Sequence, residues 1–256
     1  MSSPIAVVTG ASRGIGRRLC VDLATAGYDV VCAARSSGEH PGRLPGTIDD
    51  TAAAVRAAGR NAMAIALDVQ DEAGVARLAD RVFSEWGRCD LLVLNAAVAP
   101  PKPALDDTTR RWRLAVDVNV NGPFYCCYYF CPRMAAGEGG RVVTVSSGAA
   151  VTPSFGRASY TATKLALEGM SQALAHDLSG RVAVNCIRID LPIWTEGFDA
   201  TLPENFDTSF FEDAAIMTDA VLWLAKQDLA CTGQILTLGE LRARGVVRPP
   251  TRAGRS

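Results

Sequence analysis

The sequence lacks any apolar run close to the roughly 20 residues that a membrane-spanning helix needs. It also lacks an excess of charge, because its 256 residues carry a formal net charge of only −1. Near neutrality argues against a dedicated nucleic-acid binder, and a hydrophobic share of 48% argues against a disordered chain. We therefore expect one globular domain with a large core, and neither a membrane nor a nucleic acid as partner.

Histidine is scarce, and cysteine is not spaced to bind a metal. His40 in a predicted loop and His176 late in a predicted helix are expected to be structural. The cysteines are scattered, mostly in apolar stretches where a thiol behaves as a small hydrophobe, and the cluster Cys126, Cys127 and Cys131 lacks the paired spacing of a zinc site. We expect no metal and a reduced cytoplasmic protein without a signal peptide, since the first residues lead straight into an apolar strand.

Short apolar runs alternate with longer segments of helical period, which is typical of βαβ units around a parallel sheet. Strands are predicted over residues 5–8, 30–34, 62–67, 91–94, 141–145, 182–187 and 234–238. Helices are predicted near residues 14–27, 47–58, 72–86, 108–135, 157–179 and 213–227. The pattern predicts an α/β fold, a Rossmann-like doubly wound parallel sheet of about seven strands with helices on both faces, in a single domain over residues 1–240.

Two long loops and a basic end stand outside this pattern. The Ser36–Gly46 loop follows the second strand, and a segment over about residues 194–212 follows the sixth, where it could cover a substrate. Residues 241–256 form a basic C-terminal tail. Its arginines are Arg242, Arg244, Arg248, Arg252 and Arg255, without an acid. A flexible, solvated terminus is favoured over an anionic partner or a subunit contact.

A glycine-rich turn follows the first predicted strand and opens the first predicted helix. It reads Thr9-Gly10-Ala11-Ser12-Arg13-Gly14-Ile15-Gly16. Gly10 and Gly14 let the backbone turn tightly and approach a pyrophosphate, and Gly16 lets the helix pack closely on the strand. The helix that begins near Gly14 offers free amides and a positive dipole end to the phosphates. Ordinary turns reuse such spacing, but its place at the start of a βαβ series predicts a dinucleotide site.

The end of the second predicted strand indicates which dinucleotide binds. An NAD site would place Asp or Glu there to hold the ribose 2′-hydroxyl. This chain has Ala34 followed by Arg35, and Arg13 adds a second cation from the glycine turn. Two guanidiniums can hold a 2′-phosphate, so NADP(H) is predicted in preference to NAD(H), with two solvated surface arginines as the alternative. Asp68-Val69, closing the third predicted strand, could hydrogen-bond the adenine amino group, with an ordinary strand-ending acid as the alternative.

Tyr160 and Lys164 are four residues apart, so on a helix they share one face. A phenol normally titrates at about pH 10, which is too high for a base at neutral pH. A neighbouring ammonium stabilises the phenolate, and such a pair can then donate or accept a proton. Taken alone, the pair is explained as well by a surface tyrosine stacked on a lysine stem.

Two further polar residues give this pair a context. Ser147 follows a buried predicted strand, at the carboxyl end where open α/β sheets bind ligands, and its hydroxyl can polarise a substrate carbonyl. Asn119 lies in the middle of a predicted helix among apolar neighbours, where an amide has poor helix propensity and needs a partner. A structural amide is one interpretation; an amide that holds a water fits the site.

In combination and in this order, the motifs resemble the short-chain dehydrogenase/reductase family, in its small single-domain branch. The resemblance extends from about Ile5 to Gly239. It rests on the glycine turn, Asp68, Asn95-Ala96-Ala97, Asn119, Ser147 and Tyr160-x-x-x-Lys164.

The resemblance implies a role for each of these residues. Tyr160 would be the general acid/base, while Lys164 would make the phenol more acidic and hold the nicotinamide ribose. Ser147 would orient the carbonyl, and Asn119 would anchor a water in a proton relay. Asn95, Ala96 and Thr195 would contact the cofactor, with Thr195 at the carboxamide. The family usually forms homotetramers or homodimers through the helices that contain Asn119 and Tyr160.

The chain departs from the family pattern in three regions. Ala97 stands where members usually have Gly, and Gly239-Glu240 replaces a common double glycine. Ile189-Asp190 stands where members commonly have Pro-Gly beside the nicotinamide, and Thr195 comes about one residue late. Asp190 either narrows the pocket or repels the pyrophosphate, or it pairs with Arg188 or another cation; the structural pairing is favoured. We expect the segment to reshape the pocket without abolishing cofactor binding.

The leading function is an NADP(H)-dependent carbonyl reductase or alcohol dehydrogenase. Aromatic residues in the predicted lid suggest an apolar or amphipathic substrate, although they can equally pack on the protein itself. They are Trp194, Phe198, Phe206, Phe210 and Phe211. Val98–Pro103 and Val151–Arg157 are the other expected pocket walls. The alternatives are a cofactor-binding regulatory or scaffold protein, which would not need both Tyr160 and Lys164, and a dehydratase or epimerase on the same fold.

Overall fold

Seven strands form a single parallel sheet in the order β3-β2-β1-β4-β5-β6-β7. The computed structural model describes residues 3–99, 102–103, 105–106, 108–200 and 202–254. The strands are β1 Ile5–Thr9, β2 Asp29–Ala34, β3 Ala62–Ala66, β4 Leu91–Leu94, β5 Gly140–Ser147, β6 Val182–Ile189 and β7 Ile235–Thr237. The direction of strand addition reverses at β1, so the crevice between the ends of β1 and β4 is where a doubly wound sheet binds its ligand.

The helices cover both faces of this sheet. They are α1 Gly14–Thr25, α2 Ile48–Ala57, α3 Glu72–Trp86, α4 Thr109–Val116, α5 Gly122–Ala136, α6 Ala158–Asp177, α7 Glu196–Asp199, α8 Ala215–Ala225 and α9 Leu238–Ala243. A π-helical turn, Asp117–Asn121, joins α4 to α5, and a 3-10 turn, Gly148–Ala150, follows β5. No helix among the described residues is both long and apolar enough to cross a membrane.

Alternate residues of the central strands enter two separate cores. Val8 and Val30 face the core formed with α1, α2 and α8, whereas Val7 and Val31 face the core formed with α3 and α5. All four side chains have no solvent exposure. A strand buried on both faces reads as a continuous apolar run, which is why these strands could be located from the sequence.

The predicted doubly wound fold is confirmed, with differences at three places. The helix predicted near residues 108–135 is divided by the π-helical turn. The four-residue α7 is too short to show a helical period. The last strand was predicted through Leu238 but ends at Thr237, because Thr237 and Glu240 form a capping box that starts α9.

The C-terminal segment is packed on the domain, so the expectation of a flexible, solvated tail is wrong for residues 241–254. Leu241 and Val247 are buried in the core that contains α1 and α8. The Arg248 guanidinium binds both carboxylate oxygens of Asp219, at 2.6 and 2.7 Å, and Arg242 pairs with Glu212. Two of the arginines that suggested a solvated terminus, Arg242 and Arg248, therefore pair with acids elsewhere in the chain. Arg255 lies outside the described residues.

We expect Leu241→Ala to lower the free energy of unfolding by about 2–5 kcal/mol, because it removes a fully buried side chain and leaves a cavity. Arg244→Ala, at an exposed position of the same segment, serves as the control and should change stability by less than about 0.5 kcal/mol. Chemical denaturation of the two variants measures both effects. Equal stability of Leu241→Ala and the native chain would show that the segment is not part of the core.

Candidate active site

The glycine turn between β1 and α1 has a backbone that only glycine tolerates. Gly10 and Gly14 adopt φ angles of +68° and +55°, which lie in the left-handed region. A Cβ on Gly16 would lie 2.2 Å from the carbonyl oxygen of Gly10. The turn is therefore as tight as the sequence predicts.

A cavity of about 290 Å³ opens beside this turn. Most residues expected to bind the cofactor line it. They are Gly10, Ser12, Arg13, Arg35, Asp68, Val69, Asn95 and Ala96. The chain thus brings the ends of four neighbouring strands, β3, β2, β1 and β4, around one cleft. Leu44 of the long Ser36–Gly46 loop also lines it, so this loop contributes a wall that the motifs alone did not indicate.

Asn95 and Ala96 close the crevice between β1 and β4. The Thr9 hydroxyl accepts hydrogen bonds from the backbone N–H groups of Asn95 at 3.0 Å and Ala96 at 3.1 Å. The Asn95 side-chain amide donates back to the Thr9 carbonyl at 2.9 Å. These bonds fix the distance between the two strand ends, so Asn95 shapes the cleft as well as lining it.

The two arginines predicted to hold a 2′-phosphate have different environments. The Arg13 guanidinium donates to the Ser36 hydroxyl at 3.1 Å and to the carbonyls of Leu44, Pro45 and Gly46 at 2.9 to 3.1 Å. Arg13 therefore folds the long loop against the glycine turn rather than standing free, which the sequence did not indicate. Arg35 is exposed at the end of β2 and lines the cleft.

A second and larger cavity, of about 830 Å³, contains the predicted catalytic residues Ser147 and Tyr160 in its wall. Ile15 of the glycine turn and Thr195 of the lid also line it. Ala97, Val98 and Gly197 line both cavities, so the two form one continuous cleft along the carboxyl edge of the sheet. Ala97, one of the departures from the family pattern, stands at the junction of the two.

Lys164 is almost completely buried next to Tyr160 on α6. Its side chain is 3% exposed, and its ammonium donates to the carbonyl of Val145 at 2.7 Å and lies 5.6 Å from the centre of the Tyr160 ring. A surface tyrosine stacked on a solvated lysine is therefore excluded. The backbone of β5 holds the ammonium in place just before the strand ends at Ser147.

A buried ion pair lies one turn further along α6. The Glu168 carboxylate, 2% exposed, accepts from Arg188 on β6 at 2.6 and 2.9 Å and from the Ser146 hydroxyl at 2.7 Å. Burial alone would raise the pKa of Glu168, but the hydrogen bonds from Arg188 and Ser146 outweigh it and hold the pKa below its ordinary value. The site is thus backed by an ionised carboxylate that ties α6 to both β5 and β6.

The Asn119 side chain joins three elements rather than facing an open space. Its Oδ1 accepts from the Val98 N–H at 2.8 Å, and its Nδ2 donates to the Val98 carbonyl at 2.8 Å and to the Thr163 hydroxyl at 3.0 Å. Both amide donors are used within the protein, which favours the structural interpretation of this side chain, and its role as a water holder stays a prediction. It lies in the π-helical turn and is fully buried.

Asp190 does not pair with Arg188, whose guanidinium is bound to Glu168. Its carboxylate instead accepts from the backbone N–H of Gly239 at 3.1 Å, at the start of α9. Asp190 is exposed and lines neither cavity. The departures at Ile189-Asp190 and Gly239-Glu240 therefore meet in space.

The segment after β6 covers the larger cavity with phenylalanine. Phe210 and Phe211 stack with ring centres 4.7 Å apart, and Phe198 lies 5.5 Å from Phe211. These three rings and Phe206 line the cavity, as expected of the predicted lid. Trp194 is another aromatic residue of the predicted lid, but it lines a different groove, beside Arg17 and Arg18 on the outer side of α1.

The other expected walls are partly in place. Val98, Ala99, Ser154 and Arg157 line the larger cavity, whereas Val151 does not. Pro100 and Pro101, within the predicted wall Val98–Pro103, lie outside the described residues.

Glu196, the first residue of α7, was not singled out from the sequence. Its Oε2 accepts from the Gly14 backbone N–H at 2.9 Å, at the first turn of α1. A carboxylate at a helix N-terminus occupies the place that such a helix offers to a phosphate. In the sequence, Glu196 is visible only as an acid directly after Thr195 in the lid. Its contact with Gly14 exists only in the folded chain, because the two residues are 182 positions apart.

Comparison with known proteins defines the class to which this site belongs. The sequence profile of the family described as short chain dehydrogenase matches residues 4–191. A short-chain type dehydrogenase/reductase from Picea abies is 34% identical over 199 residues, which are 77% of this chain and 73% of that protein. A hydroxysteroid dehydrogenase-like protein 2 from Danio rerio is 29% identical over 90% of this chain, which spans only 55% of that protein.

Solved structures of similar proteins contain either nicotinamide dinucleotide. A short chain dehydrogenase from Mycobacterium paratuberculosis bound to NAD is 26% identical, with a TM-score of 0.80 over 93% of this chain and 96% of that one. A short chain dehydrogenase from Shigella flexneri complexed with NADP is also 26% identical, with a TM-score of 0.82 over 92% and 97% of the two chains. The chain belongs to the short-chain dehydrogenase/reductase family, whose members are NAD(P)-dependent oxidoreductases.

We expect Glu196→Gln to tighten the binding of a nicotinamide dinucleotide by about three- to tenfold, because a carboxylate at the α1 N-terminus repels a pyrophosphate and competes for the Gly14 N–H. Glu204→Gln removes one negative charge elsewhere in the lid and is the matched control. Fluorescence titration of both variants gives the dissociation constants. Unchanged or weaker binding in Glu196→Gln would mean that the carboxylate and the cofactor do not compete.

Proposed function

We propose that this protein is an NADP(H)-dependent oxidoreductase that interconverts a carbonyl and a primary or secondary alcohol, with Tyr160 as general acid/base. One arrangement carries the proposal. Tyr160 and Ser147 line an apolar cavity that continues into the cleft beside the glycine turn, and the buried Lys164 ammonium lies against the Tyr160 ring.

The cleft fits a dinucleotide. The left-handed glycines of the turn leave the backbone open to the cleft, and a side chain at Gly10 would collide with Ala96 and Asn95 at 2.9 Å. α1 starts directly behind the turn and has no acidic residue in its own first turn. Gly10, Gly14 and Ile15 would hold the pyrophosphate, Asp68 and Val69 the adenine, and Thr195 the carboxamide. The nicotinamide, when bound, supplies or accepts the hydride.

The chain's own residues would move the proton. In the reductive direction the Tyr160 hydroxyl donates to the carbonyl oxygen as the alcohol forms, and Ser147 holds that oxygen by a hydrogen bond. The Lys164 ammonium stabilises the phenolate that is left, since it is buried and fixed by the Val145 carbonyl. Asn119 acts as a positioning residue, because its side chain ties Val98 in the cavity wall to Thr163 on α6.

A preference for NADP(H) is supported by the charge at the end of β2. Arg35 is exposed there and lines the cleft, at the position where a site for NAD would carry an acid. Arg13 contributes the positive charge of a guanidinium that is already bound to the Ser36–Gly46 loop. Arg35 is therefore the residue that we expect to bind the 2′-phosphate.

We also propose a homodimer or homotetramer and a cytoplasmic location. α5 exposes Phe124 and Tyr128, at 43% and 60%, on a surface that a second copy would cover. All the cysteines are free, and burial raises the pKa of Cys126 to about 12 and of Cys186 to about 11. Such thiols resist oxidation and suit a reducing compartment.

We expect Tyr160→Phe to lower kcat for carbonyl reduction by about 10²–10⁴-fold, because it removes the proton donor while keeping the ring. Initial rates of NADPH oxidation against aldehydes, ketones, quinones and β-keto esters measure the effect. Tyr28→Phe, at a tyrosine directly before β2 and so at the opposite edge of the sheet, is the control and should keep full activity. Full activity in Tyr160→Phe would exclude the proposed acid/base. A native chain that binds NADPH but reduces nothing would favour a regulatory or scaffold role.

We expect Arg35→Asp to weaken NADP(H) binding by about ten- to hundredfold and to leave NAD(H) binding unchanged or stronger, because the new carboxylate repels a 2′-phosphate and accepts from a 2′-hydroxyl. Lys226→Asp makes the same change in net charge at an exposed residue after α8. Dissociation constants for both dinucleotides measure the preference. An equal loss of affinity for the two would show that Arg35 does not read the 2′ position.

A further inference from the structure

The wall of the larger cavity, as far as its residues are described, is mostly apolar. Arg157 is the only residue with a permanent charge among the described residues that line it. It lies immediately before α6 and is half-buried. Apart from Ser147, Ser154, Thr195 and the Tyr160 hydroxyl, the remaining lining is aliphatic, aromatic or glycine.

Arg157 has no acidic partner within the described part of the chain. Its Nη1 donates to the carbonyl of Ala99 at 3.2 Å, and the first turn of α6 contains no acid. Two other arginines near the carboxyl edge of the sheet do have acidic partners: Arg188 pairs with Glu168, and Arg242 pairs with Glu212. Among the residues that the structure describes, no acid therefore compensates the positive charge that Arg157 brings to the cavity.

A guanidinium in an apolar wall favours a carboxylate over a neutral group, because it can donate two parallel hydrogen bonds to the two oxygens. We propose that Arg157 binds a carboxylate of the substrate, so that the enzyme acts on apolar oxo acids and hydroxy acids. The proposal rests on the function proposed above and adds the substrate class.

The position of Arg157 also indicates where the carboxylate lies. Arg157 is the N-cap of α6 and precedes Tyr160 by three residues, and both side chains line the same cavity. The acid group is therefore at the reacting end of the substrate. The phenylalanines of the lid line the same cavity and contact the apolar remainder, for which about 830 Å³ leaves ample room.

Arg157 also has a structural function from which substrate binding must be separated. Its bond to Ala99 ties the start of α6 to the loop after β4, so loss of the side chain could disturb the wall for every ligand. A carboxylate site differs because its loss affects anionic ligands only. The two roles are therefore distinguished by comparing ligands with the same apolar body and different charge.

The experiment measures binding of 4-phenylbutanoate and its neutral amide by calorimetry, with and without NADP. The native chain should bind the carboxylate about ten- to hundredfold more tightly than the amide. Arg157→Met should lose this preference and keep its affinity for the amide, and Arg157→Lys should retain part of the preference. Arg181→Met, at an exposed residue after α6, should behave as the native chain.

Two results of this binding experiment would overturn the proposal. One is a native chain that binds the carboxylate no better than the amide. The other is an Arg157→Met variant that loses both ligands equally, which would leave Arg157 with its structural bond alone. Tyr160→Phe should bind the carboxylate more tightly than the amide, as the native chain does. This variant therefore measures ligand binding without catalysis. A native chain that prefers the carboxylate but turns over no substrate would contradict the proposed reaction and leave the proposed carboxylate site in place.

Steady-state kinetics then distinguishes an effect of Arg157 on the position of Tyr160 from binding of the substrate carboxylate. For a pair of substrates consisting of an aryl 3-oxo acid and its methyl ester, Arg157→Met should raise KM for the acid about ten- to hundredfold. KM and kcat for the ester should be unchanged. A fall in kcat of similar size for both substrates would indicate a disturbed Tyr160 and would overturn the assignment.

Discussion

All the strands of the sheet run in one direction, and this constraint places every functional residue at one edge. The glycine turn follows β1, Arg35 follows β2, Asp68 lies just beyond β3, Asn95 follows β4 and Ser147 ends β5. Strand addition reverses at β1, so no helix crosses the crevice between β1 and β4 and the turn stays open to a ligand. Loops of unrelated sequence thus contribute to one cleft.

Buried polar contacts then fix the chemistry within that cleft. Lys164 is held by the Val145 carbonyl, and the Glu168–Arg188 pair ties α6 to β6 one turn later. Asn119 uses its amide to join the π-helical turn, the Val98 backbone and Thr163. Each of these groups would be costly to leave unpaired, so together they allow α6 only one position relative to β5.

The lid is connected to both ends of the molecule. Glu196 binds the first turn of α1, while Glu212 at the other end pairs with Arg242. The last described residues add backbone bonds, since Asp213 donates to Thr251 and Ala253 donates to Phe211. The C-terminal segment therefore supports the lid phenylalanines that line the larger cavity. The bond between Glu196 and Gly14 connects the same lid, through α7, to the glycine turn.

The sequence by itself determined the sheet, most of its longer helices, the glycine turn and the Tyr160–Lys164 pair, because each depends on a period or spacing within a few residues. The tertiary structure alone decided the partners of charged side chains. Asp190 binds Gly239, Arg13 binds the Ser36–Gly46 loop, and Glu196 reaches Gly14. Arg157, by contrast, meets no acid in the described chain. Such pairings join residues from 23 to 182 positions apart, and a charge carries no information in the sequence about which distant group will neutralise it.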